Sequence, residues 1–410
     1  MKKQITILVL TAVFATTTAW ASGWRIPEQS VNSTALSAAY VANAHGADAA
    51  YFNPANMSFA EESEKWQLEV AAMYIHLAAI DYTDNDNDAY SGDSKKEHFL
   101  LPLFHLVSPE WHNMHFGLSF TVPGGLSKRW DDPYPAASAG EFSLEILELN
   151  PTLSYRIHDR VAVAAGVRAV YSEGRVSSDS LISRELEGDS LDAGYNLALT
   201  VRPLDNLSTA ITWRSKVDIN IEGDATLKYT PTDIFNYDGH AEVRVPLPEV
   251  LTVAVAYTLK DTTVELSWDR TFWSDYDNLD FDYDQAYTSP SHPFFRFDNP
   301  MAKDYNDADA FRIGVTHKMM AARLTLMAGF ALDETPVPAR TLGFELPDSD
   351  ARIYSLGGKY KINDQYELGL AYLYDDKEER QIRPDDGNTI VGDFKNAAAH
   401  IVTLGLNTTF

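Results

Sequence analysis

Long stretches of this chain alternate apolar residues with small or polar ones, and this period of two limits what the chain can fold into. Clear examples are 161–171, 196–202, 251–258 and 366–374. Successive side chains of a strand point to opposite faces, so the pattern predicts strands with one apolar face. Strands of soluble proteins usually have about five or six residues. These segments approach or exceed the roughly ten residues that a tilted strand needs to cross a bilayer.

The connections between the segments alternate in length. Short turns lie near 108–110, 158–159, 203–205, 260–261, 319–320 and 363–364. Long polar loops lie near 81–92, 124–141, 177–187, 221–237, 274–302, 333–349 and 376–392. Six turns and seven loops imply 14 strands, and an even number with short turns on one side is the layout of outer-membrane barrels. The sequence therefore predicts an all-β fold, a 14-stranded antiparallel transmembrane β-barrel with both termini on the periplasmic side.

Composition excludes several other classes. The chain has 59 acidic and 33 basic residues, a net charge of −26 and no cysteine. An acidic chain repels nucleic-acid phosphates, and without cysteine there is no disulfide scaffold and no thiolate site. The mean hydropathy of −0.25 resembles that of a soluble protein. A barrel accounts for this value, because only every second strand residue faces lipid.

The N-terminus has the features of an export signal. Lys2 and Lys3 precede an apolar stretch at 5–15, and Ala19-Trp20-Ala21 is a cleavage pattern. We predict a signal peptide over 1–21. Residues 22–60 are rich in Ala, Asn and Ser and alternate little, which indicates a compact and partly helical segment.

Four stretches in order carry a family resemblance. They are Ser22-Gly23-Trp24 through to Asn53-Pro54-Ala55; Pro248-Glu249-Val250 leading into the strand at 251–259; the stretch from Trp268 to Tyr276 with Trp273-Ser274-Asp275-Tyr276; and Asp333-Glu334-Thr335-Pro336-Val337-Pro338 with the following 346–352. On these residues the chain resembles the FadL/TodX group of long-chain fatty-acid and hydrocarbon outer-membrane transporters, along essentially its whole mature length.

The resemblance implies a hatch over 22–62 that plugs a barrel formed by 63–410 in the bacterial outer membrane. It implies passive uptake of long-chain fatty acids or similar lipophiles, with hatch movement and lateral release through the barrel wall. It implies no enzymatic activity, no cofactor and no metal. Transport of aromatic hydrocarbons is an alternative. A lipid hydrolase is another, although His76 and His317, which share the outward register, have no evident Ser partner. An adhesin that acts through its loops is a third.

The candidate gating residues lie in the hatch and beside the third strand. Asn53, Pro54 and Ala55 form the hatch motif. Trp24 and Ile26 either contact ligand or pack the plug.

The third strand is expected over 111–123, where the resemblance places a kink. Pro123 and Gly124 either disturb its pairing, because Pro lacks an N–H and Gly weakens a ladder, or begin the next loop.

The candidate cations for a ligand carboxylate are Arg168 and Arg312, which lie in mid-strand on the inward register. Their alternative role is in a salt-bridged network that packs the lumen against the hatch. The expected partners are a hydrophobic small molecule, outer-membrane lipid and lipopolysaccharide, and the barrel-assembly machinery through the terminal Phe410. The protein is expected to be a monomer.

Overall fold

The computed structural model describes residues 23–60 and 64–410, which form one closed antiparallel barrel around an internal segment. Its strands are β1 Gln67–Leu77, β2 Glu97–Val107, β3 Met114–Arg129, β4 Glu141–His158, β5 Val161–Ser178, β6 Ile182–Leu204, β7 Leu207–Arg214 continued as Val217–Tyr229, β8 Tyr237–Leu247 continued as Glu249–Leu259, β9 Thr262–Phe272, β10 Ala308–Met319, β11 Leu324–Asp333, β12 Ala351–Lys361, β13 Tyr366–Lys377 and β14 Ala398–Thr409. Strand β14 pairs with β1 and closes the sheet. The prediction of 14 strands is confirmed.

The helices are all short. They are α1 Val31–Ala35, α2 Ala49–Phe52 and α3 Pro133–Ala139, with 3₁₀ turns at Pro54–Phe59, Asp88–Tyr90, Asp233–Phe235, Trp273–Asp275, Phe295–Phe297, Ala339–Thr341 and Pro384–Asp386. Short strands outside the barrel count lie at Asp81–Asp84, Gly92–Asp93, Asn278–Leu279, Phe281–Tyr283, Met301–Ala302, Arg380–Ile382 and Gly392–Lys395. Within the described ranges, no helix has the length and apolar character to cross a membrane.

Alternation separates two faces of the wall. Along β1 the inward residues are buried, whereas Val70 and Tyr74 are exposed on the outside. The inward face carries polar groups such as Glu69 and Glu148, both fully buried. The barrel thus has an apolar exterior and a polar lumen, as strands in a bilayer require.

Three of the predicted loops, 124–141, 177–187 and 221–237, are partly strand, which corrects the sequence-based boundaries. Strands β3, β5, β6, β7 and β8 extend the sheet, so the connections shrink to 130–140, 179–181 and 230–236. Inward residues such as Val176, Leu186 and Ile221 continue the apolar alternation and are buried. The outward positions are charged, and six carboxylates form one cross-strand row: Glu145, Glu173, Asp189, Glu222, Glu242 and Asp282. Their charge gives these segments the average polarity of loops.

Residues 23–60 fill the lumen. Helix α1 contacts β12, β13 and β14, and the turn at Pro54–Phe59 contacts β4 and β5. Small residues allow this close approach: a Cβ on Gly329 would lie 2.1 Å from the backbone of Leu36. The hatch is therefore packed directly on the wall. The predicted signal peptide and the proposed boundary at 62/63 involve 1–22 and 61–63, which lie outside the described residues, so both stay predictions.

Candidate functional site

The part of the hatch nearest the periplasm, 31–60, is fastened to the wall by a buried carboxylate. We name 31–60 the lower hatch and 23–30 the upper hatch. Glu265 of β9 accepts hydrogen bonds from the backbone N–H groups of Val41, Ala42 and Asn43, at 2.5, 2.9 and 2.8 Å. Charge-assisted bonds of this kind are about twice as strong as neutral ones. One side chain therefore fixes the turn that follows α1.

The Asn-Pro-Ala motif belongs to the same anchored region. The side-chain amide of Asn53 donates to the Val41 carbonyl at 2.9 Å and to the Thr200 hydroxyl of β6 at 2.8 Å. Pro54 begins the 3₁₀ turn, and Ala55 is fully buried. The motif lies away from the two cavities described below and joins the lower hatch to the wall.

Arg312 of β10 connects hatch and wall through its whole guanidinium. It donates to Asp269 at 3.0 Å, to Asp333 at 3.0 Å and to the Ser37 carbonyl of the hatch at 3.1 Å. The side chain is fully buried and does not line either cavity.

Arg168 of β5 has a similar environment. Its guanidinium donates to Glu148 at 2.8 Å and to the Ser215 carbonyl at 2.6 Å. Arg214 donates to the other oxygen of the same carboxylate. Arg168 also lies away from both cavities. The structure therefore places both candidate arginines in ion-pair networks within the protein.

The barrel wall is incompletely paired between β2 and β3. These strands pair only between Phe104–Val107 and residues 117–120. The register of β3 then shifts between Thr121 and Gly124. Strand β3 starts at 114 and runs to 129, rather than over the predicted 111–123. Pro123 and Gly124 are thus inside a strand at a bulge, and not at the start of a loop.

The upper hatch takes the place of β2 at this bulge. The N–H of Ile26 donates to the Pro123 carbonyl at 3.0 Å, and the N–H of Gly125 donates to the Trp24 carbonyl at 3.0 Å. Gln29 reaches the same strand, since its side-chain amide donates to the Val122 carbonyl at 2.8 Å. Backbone groups of β3 at the bulge thereby find partners, as buried backbone groups require.

Above the gap the two strands are joined again. Arg129 of β3 donates to the carboxylate of Glu97 on β2 at 2.8 and 2.6 Å, and Ser94 bridges to Trp130. The unpaired part, 98–103 of β2 facing 121–128 of β3, is therefore bounded at both ends. We name it the window.

A cavity of about 470 Å³ lies between the upper hatch and the window. Trp24, Ile26, Glu28 and Gly124 line it from the inside. Leu100 also lines it, although its side chain is 71% exposed on the outer face of the barrel. The inner cavity therefore extends to the lipid-facing side of the wall at the window.

A narrower groove of about 60 Å³ lies further out and is strongly apolar. Its lining includes Leu126, Phe142, Leu144, Val176, Leu186, Ile221, Val243, Val245, Tyr276, Leu279 and Phe281. Trp24 lines both this groove and the inner cavity. Its ring contacts Trp273 and Tyr276 edge to face, with centroids 4.3 and 5.4 Å apart. One indole thus lines both spaces.

The inner cavity also has charged lining residues. Lys128 at the top of the window is 6% exposed, and its side-chain ammonium has no ion pair or hydrogen bond with another described residue. Glu28 of the hatch is 4% exposed, and its Oε1 has no hydrogen-bond partner among the described atoms. Burial raises the pKa of the Glu28 carboxyl to about 7. Lys377 is paired with Asp348 at 2.6 Å.

Of the sequence-based candidates, Trp24, Ile26 and Gly124 meet in the inner cavity, and Pro123 contacts the hatch beside it. Lys128 was missed because the sequence places it in the loop 124–141, outside any strand register. Glu28 was missed because the hatch lacks periodicity. A Lys four residues after the Val122-Pro123-Gly124 break would have been a usable signal if the predicted strand had been continued past the break.

Comparison with known proteins identifies related sequences. A family model described as "Outer membrane protein transport protein (OMPP1/FadL/TodX)" matches residues 12–410. The long-chain fatty acid transport protein of Escherichia coli K12 is 24% identical, over 90% of this chain and 91% of that protein. Outer membrane protein P1 of Haemophilus influenzae (strain Rd) is 24% identical over 76% and 75%.

Solved structures share the fold. A Pseudomonas aeruginosa FadL homologue superposes with a TM-score of 0.79 at 18% identity, covering 95% of this chain and 99% of that one. The toluene transporter TodX of P. putida gives a TM-score of 0.70 at 16% identity, with 93% and 98% covered. These likenesses support the architecture, a barrel with an N-terminal hatch.

Proposed function

Since this chain belongs to the OMPP1/FadL/TodX family of outer membrane transport proteins, and is an outer-membrane channel for hydrophobic compounds, we propose that its substrate is a long-chain lipophile with a carboxylate head group. The observation that carries this proposal is Lys128, whose ammonium group makes no ion pair or hydrogen bond with another described residue, in a cavity lined by both apolar and charged side chains. A buried charge requires a counter-charge. A ligand carboxylate supplies one, whereas a plain hydrocarbon does not.

The proposed route follows the apolar spaces. The ligand enters the outer groove, passes Trp24 and reaches the inner cavity, where its chain replaces water. Burying a methylene contributes roughly 0.8 kcal/mol, so a long acyl chain drives its own capture. Movement of the upper hatch then opens the window, and the ligand leaves sideways into the outer leaflet. Trp24, Ile26, Pro123 and Gly124 are the proposed gating residues. Asn53, Pro54 and Ala55 are proposed as the rigid part of the hatch.

Replacement of Lys128 by Met tests the head-group assignment. A charge-assisted contact contributes about 1.5–3 kcal/mol, so Lys128→Met should weaken oleate binding about 10- to 100-fold. Binding of toluene should be unchanged. The measurement is isothermal titration of the purified protein in detergent with each ligand.

Two variants sharpen this test. Lys128→Arg keeps a cation in the cavity and should retain oleate binding. Lys318→Met removes an exposed Lys at the end of β10 and should have no effect on either ligand. Equal oleate affinity in Lys128→Met and the unmodified protein would contradict the head-group assignment.

The strongly apolar outer groove favours a second candidate function, the uptake of aromatic hydrocarbons. In that case toluene binds tightly, oleate binds weakly and Lys128→Met changes neither. The same titrations therefore distinguish the two substrate classes.

We propose no catalytic activity for this protein, in line with relatives that are named as transport proteins. His317, one of the two residues considered for a hydrolase, lies near the Thr262 hydroxyl on the outer wall. Cells that express the protein with His317→Ala should show unchanged lipase activity. An adhesin role predicts instead that removal of loop residues between 284 and 300 abolishes cell or phage binding but leaves uptake intact.

Three partner assignments complete the proposal. Phe410 directly follows β14, has an exposed ring and pairs through its backbone with Trp66, at 2.9 and 3.1 Å. We propose that this terminal aromatic is read by the barrel-assembly machinery, that lipopolysaccharide surrounds the extracellular end, and that the barrel functions as a monomer.

A further inference from the structure

Three histidines cross the outer face of the barrel near its extracellular end. His98 of β2, His76 of β1 and His400 of β14 occupy directly opposed positions on adjacent strands. The ring centroids of His76 and His98 are 4.6 Å apart, and those of His76 and His400 are 5.8 Å apart. We name these three residues the histidine row. It lies outside the lumen, because the neighbouring Ile75 and Ile401 are the buried, inward residues of their strands.

Two tyrosines orient the outer members of the row. The Tyr74 hydroxyl lies 2.7 Å from Nδ1 of His98, and the Tyr372 hydroxyl lies 2.9 Å from Nδ1 of His400. Metal-bound histidines typically have their second ring nitrogen hydrogen-bonded to an oxygen, which fixes the ring. Here that arrangement leaves Nε2 of both rings available. The neighbouring rings of the row are stacked, with 26° and 22° between their planes, so the side chains must rotate to bring two nitrogens to one ion. Nδ1 of His76, between them, has no hydrogen-bond partner among the described atoms.

We propose that the histidine row binds a divalent transition-metal ion, Zn²⁺ or Cu²⁺. The ligands are imidazole nitrogens of His76 together with His98 or His400, and water completes the coordination. Imidazole suits Zn²⁺ and Cu²⁺, whereas Ca²⁺ and Mg²⁺ prefer oxygen ligands. His98 is also the first residue of the window and lines the inner cavity, so the proposed metal site adjoins the proposed exit of the ligand.

The bound ion would join strands at two important places. His76 and His400 lie on β1 and β14, the pair that closes the barrel. His98 lies on β2, the strand that borders the window. A ligand that binds only the folded state stabilises it by mass action. Zn²⁺ should therefore raise the unfolding temperature of the barrel.

The experiment uses the complete barrel without a polyhistidine tag, in detergent. All proteins carry His240→Gln, because ligand atoms of Glu222, His240 and Glu242 lie within 4.8 Å of one another and offer a second metal-binding group. Zn²⁺ binding is measured by isothermal titration, and Cu²⁺ binding by electron paramagnetic resonance.

The expected result is one saturable ion, nitrogen hyperfine structure in the Cu²⁺ spectrum and a Zn²⁺-dependent rise in unfolding temperature. His76→Gln should lower the affinity at least tenfold and remove the thermal shift. His317→Gln, a matched substitution on the outer wall at the other end of the barrel, should change nothing.

Zn²⁺ binding of equal affinity in His76→Gln, or binding no greater than in the detergent blank, would overturn the proposal. Heat-modified gel mobility verifies that each variant is folded. If His76→Gln does not fold, the double variant His98→Gln/His400→Gln provides the same test, because it leaves His76 without a second ligand. Retained affinity in that variant would equally overturn the assignment.

Discussion

The upper and lower parts of the hatch differ in the interactions that attach them to the barrel wall. In the lower hatch, Glu265, Arg312 and Asn53 make several short bonds to buried backbone and side-chain groups. The upper hatch is held by two backbone bonds to the bulged strand β3 and by the side chains of Arg25 and Gln29. Both parts contain buried polar atoms without hydrogen-bond partners among the described atoms, Asn53 Oδ1 and Asn56 Oδ1 in the lower hatch and Trp24 Nε1 and Glu28 Oε1 in the upper hatch. Of these residues, only Trp24 and Glu28 line the inner cavity.

The difference shows which part of the plug can move. Local opening free energies range from near zero to the global value, and moving elements come from the low end. A segment that has unpaired buried polar groups and borders a cavity should have a low local opening free energy. We therefore expect the upper hatch to shift during transport while the lower hatch stays in place.

The largest expected effect comes from locking the upper hatch to β3. Arg25 and Gly124 are bridge partners, and bridge partners have the Cα separation that a disulfide needs. The double variant Arg25→Cys/Gly124→Cys is free of competing thiols, because the chain has no cysteine. Oxidation should nearly abolish oleate uptake by proteoliposomes, and reduction should restore it.

The single variants serve as controls for this lock. A Cβ at Gly124 would lie 3.2 Å from the Trp24 carbonyl oxygen, so Gly124→Cys has a small effect of its own. Unchanged uptake by the oxidised double variant would show that the upper hatch does not need to leave β3.

Removal of the arginine that anchors the lower hatch should have the next largest effect. Arg312→Met leaves Asp269 and Asp333 buried without their common cation. Breaking a buried pair in this way costs about 3–5 kcal/mol. The free energy of unfolding in urea should fall by this amount, and the hatch should become susceptible to protease.

The triple variant Arg312→Met/Asp269→Asn/Asp333→Asn removes all three charges and should recover most of the stability. If Arg312→Met alone left the hatch as resistant to protease as before, the distinction between a fixed lower hatch and a movable upper hatch would fail.

A pH-dependent effect in the upper hatch should be the smallest of the three. Burial raises the pKa of Glu28 from 4.5 to about 7, so folding favours the neutral acid. This contribution is fully present below pH 4.5 and is lost as the pH rises through 7. One pKa unit corresponds to ~1.4 kcal/mol, which sets an upper limit of about 3 kcal/mol on the loss between pH 5 and 8.

Glu28→Gln should flatten this part of the pH profile, measured by thermal unfolding, and should stabilise the protein at pH 8. Glu185→Gln, an exposed and outward-facing control, should leave the profile unchanged. Parallel profiles for Glu28→Gln and the unmodified protein would show that the unpaired carboxyl is not a weak point of the upper hatch.

The strand count and the two faces of the wall could be predicted from local sequence. Segments such as 251–258 alternate with a period of two, so each residue by itself indicates which face it occupies. The extracellular ends of β6 and β7 could not be found in this way. There Glu187 and Glu222 face outwards into water rather than lipid, and their charge hides the continuing inward alternation of Leu186 and Ile221.

The candidate site was less accessible to the same reasoning. The Pro123–Gly124 break was visible because Pro cannot donate to a ladder and Gly weakens it. The roles of Arg168 and Arg312 depend on partners 20 or more residues away, such as Glu148 and Asp269. No periodicity predicts which carboxylate an inward cation meets.

The sequence by itself determined the barrel, its strand number, the polar lumen and the place where one strand is broken. These follow from the period of the backbone and from the hydrogen-bonding capacity of single residues. Only the tertiary structure decided that the upper hatch occupies the gap beside β3, and that Lys128 and Glu28 face one cavity. It also decided that histidines of β14, β1 and β2 lie side by side in one row. The physical reason is that closing the sheet brings together strands whose separation along the chain carries no information about register.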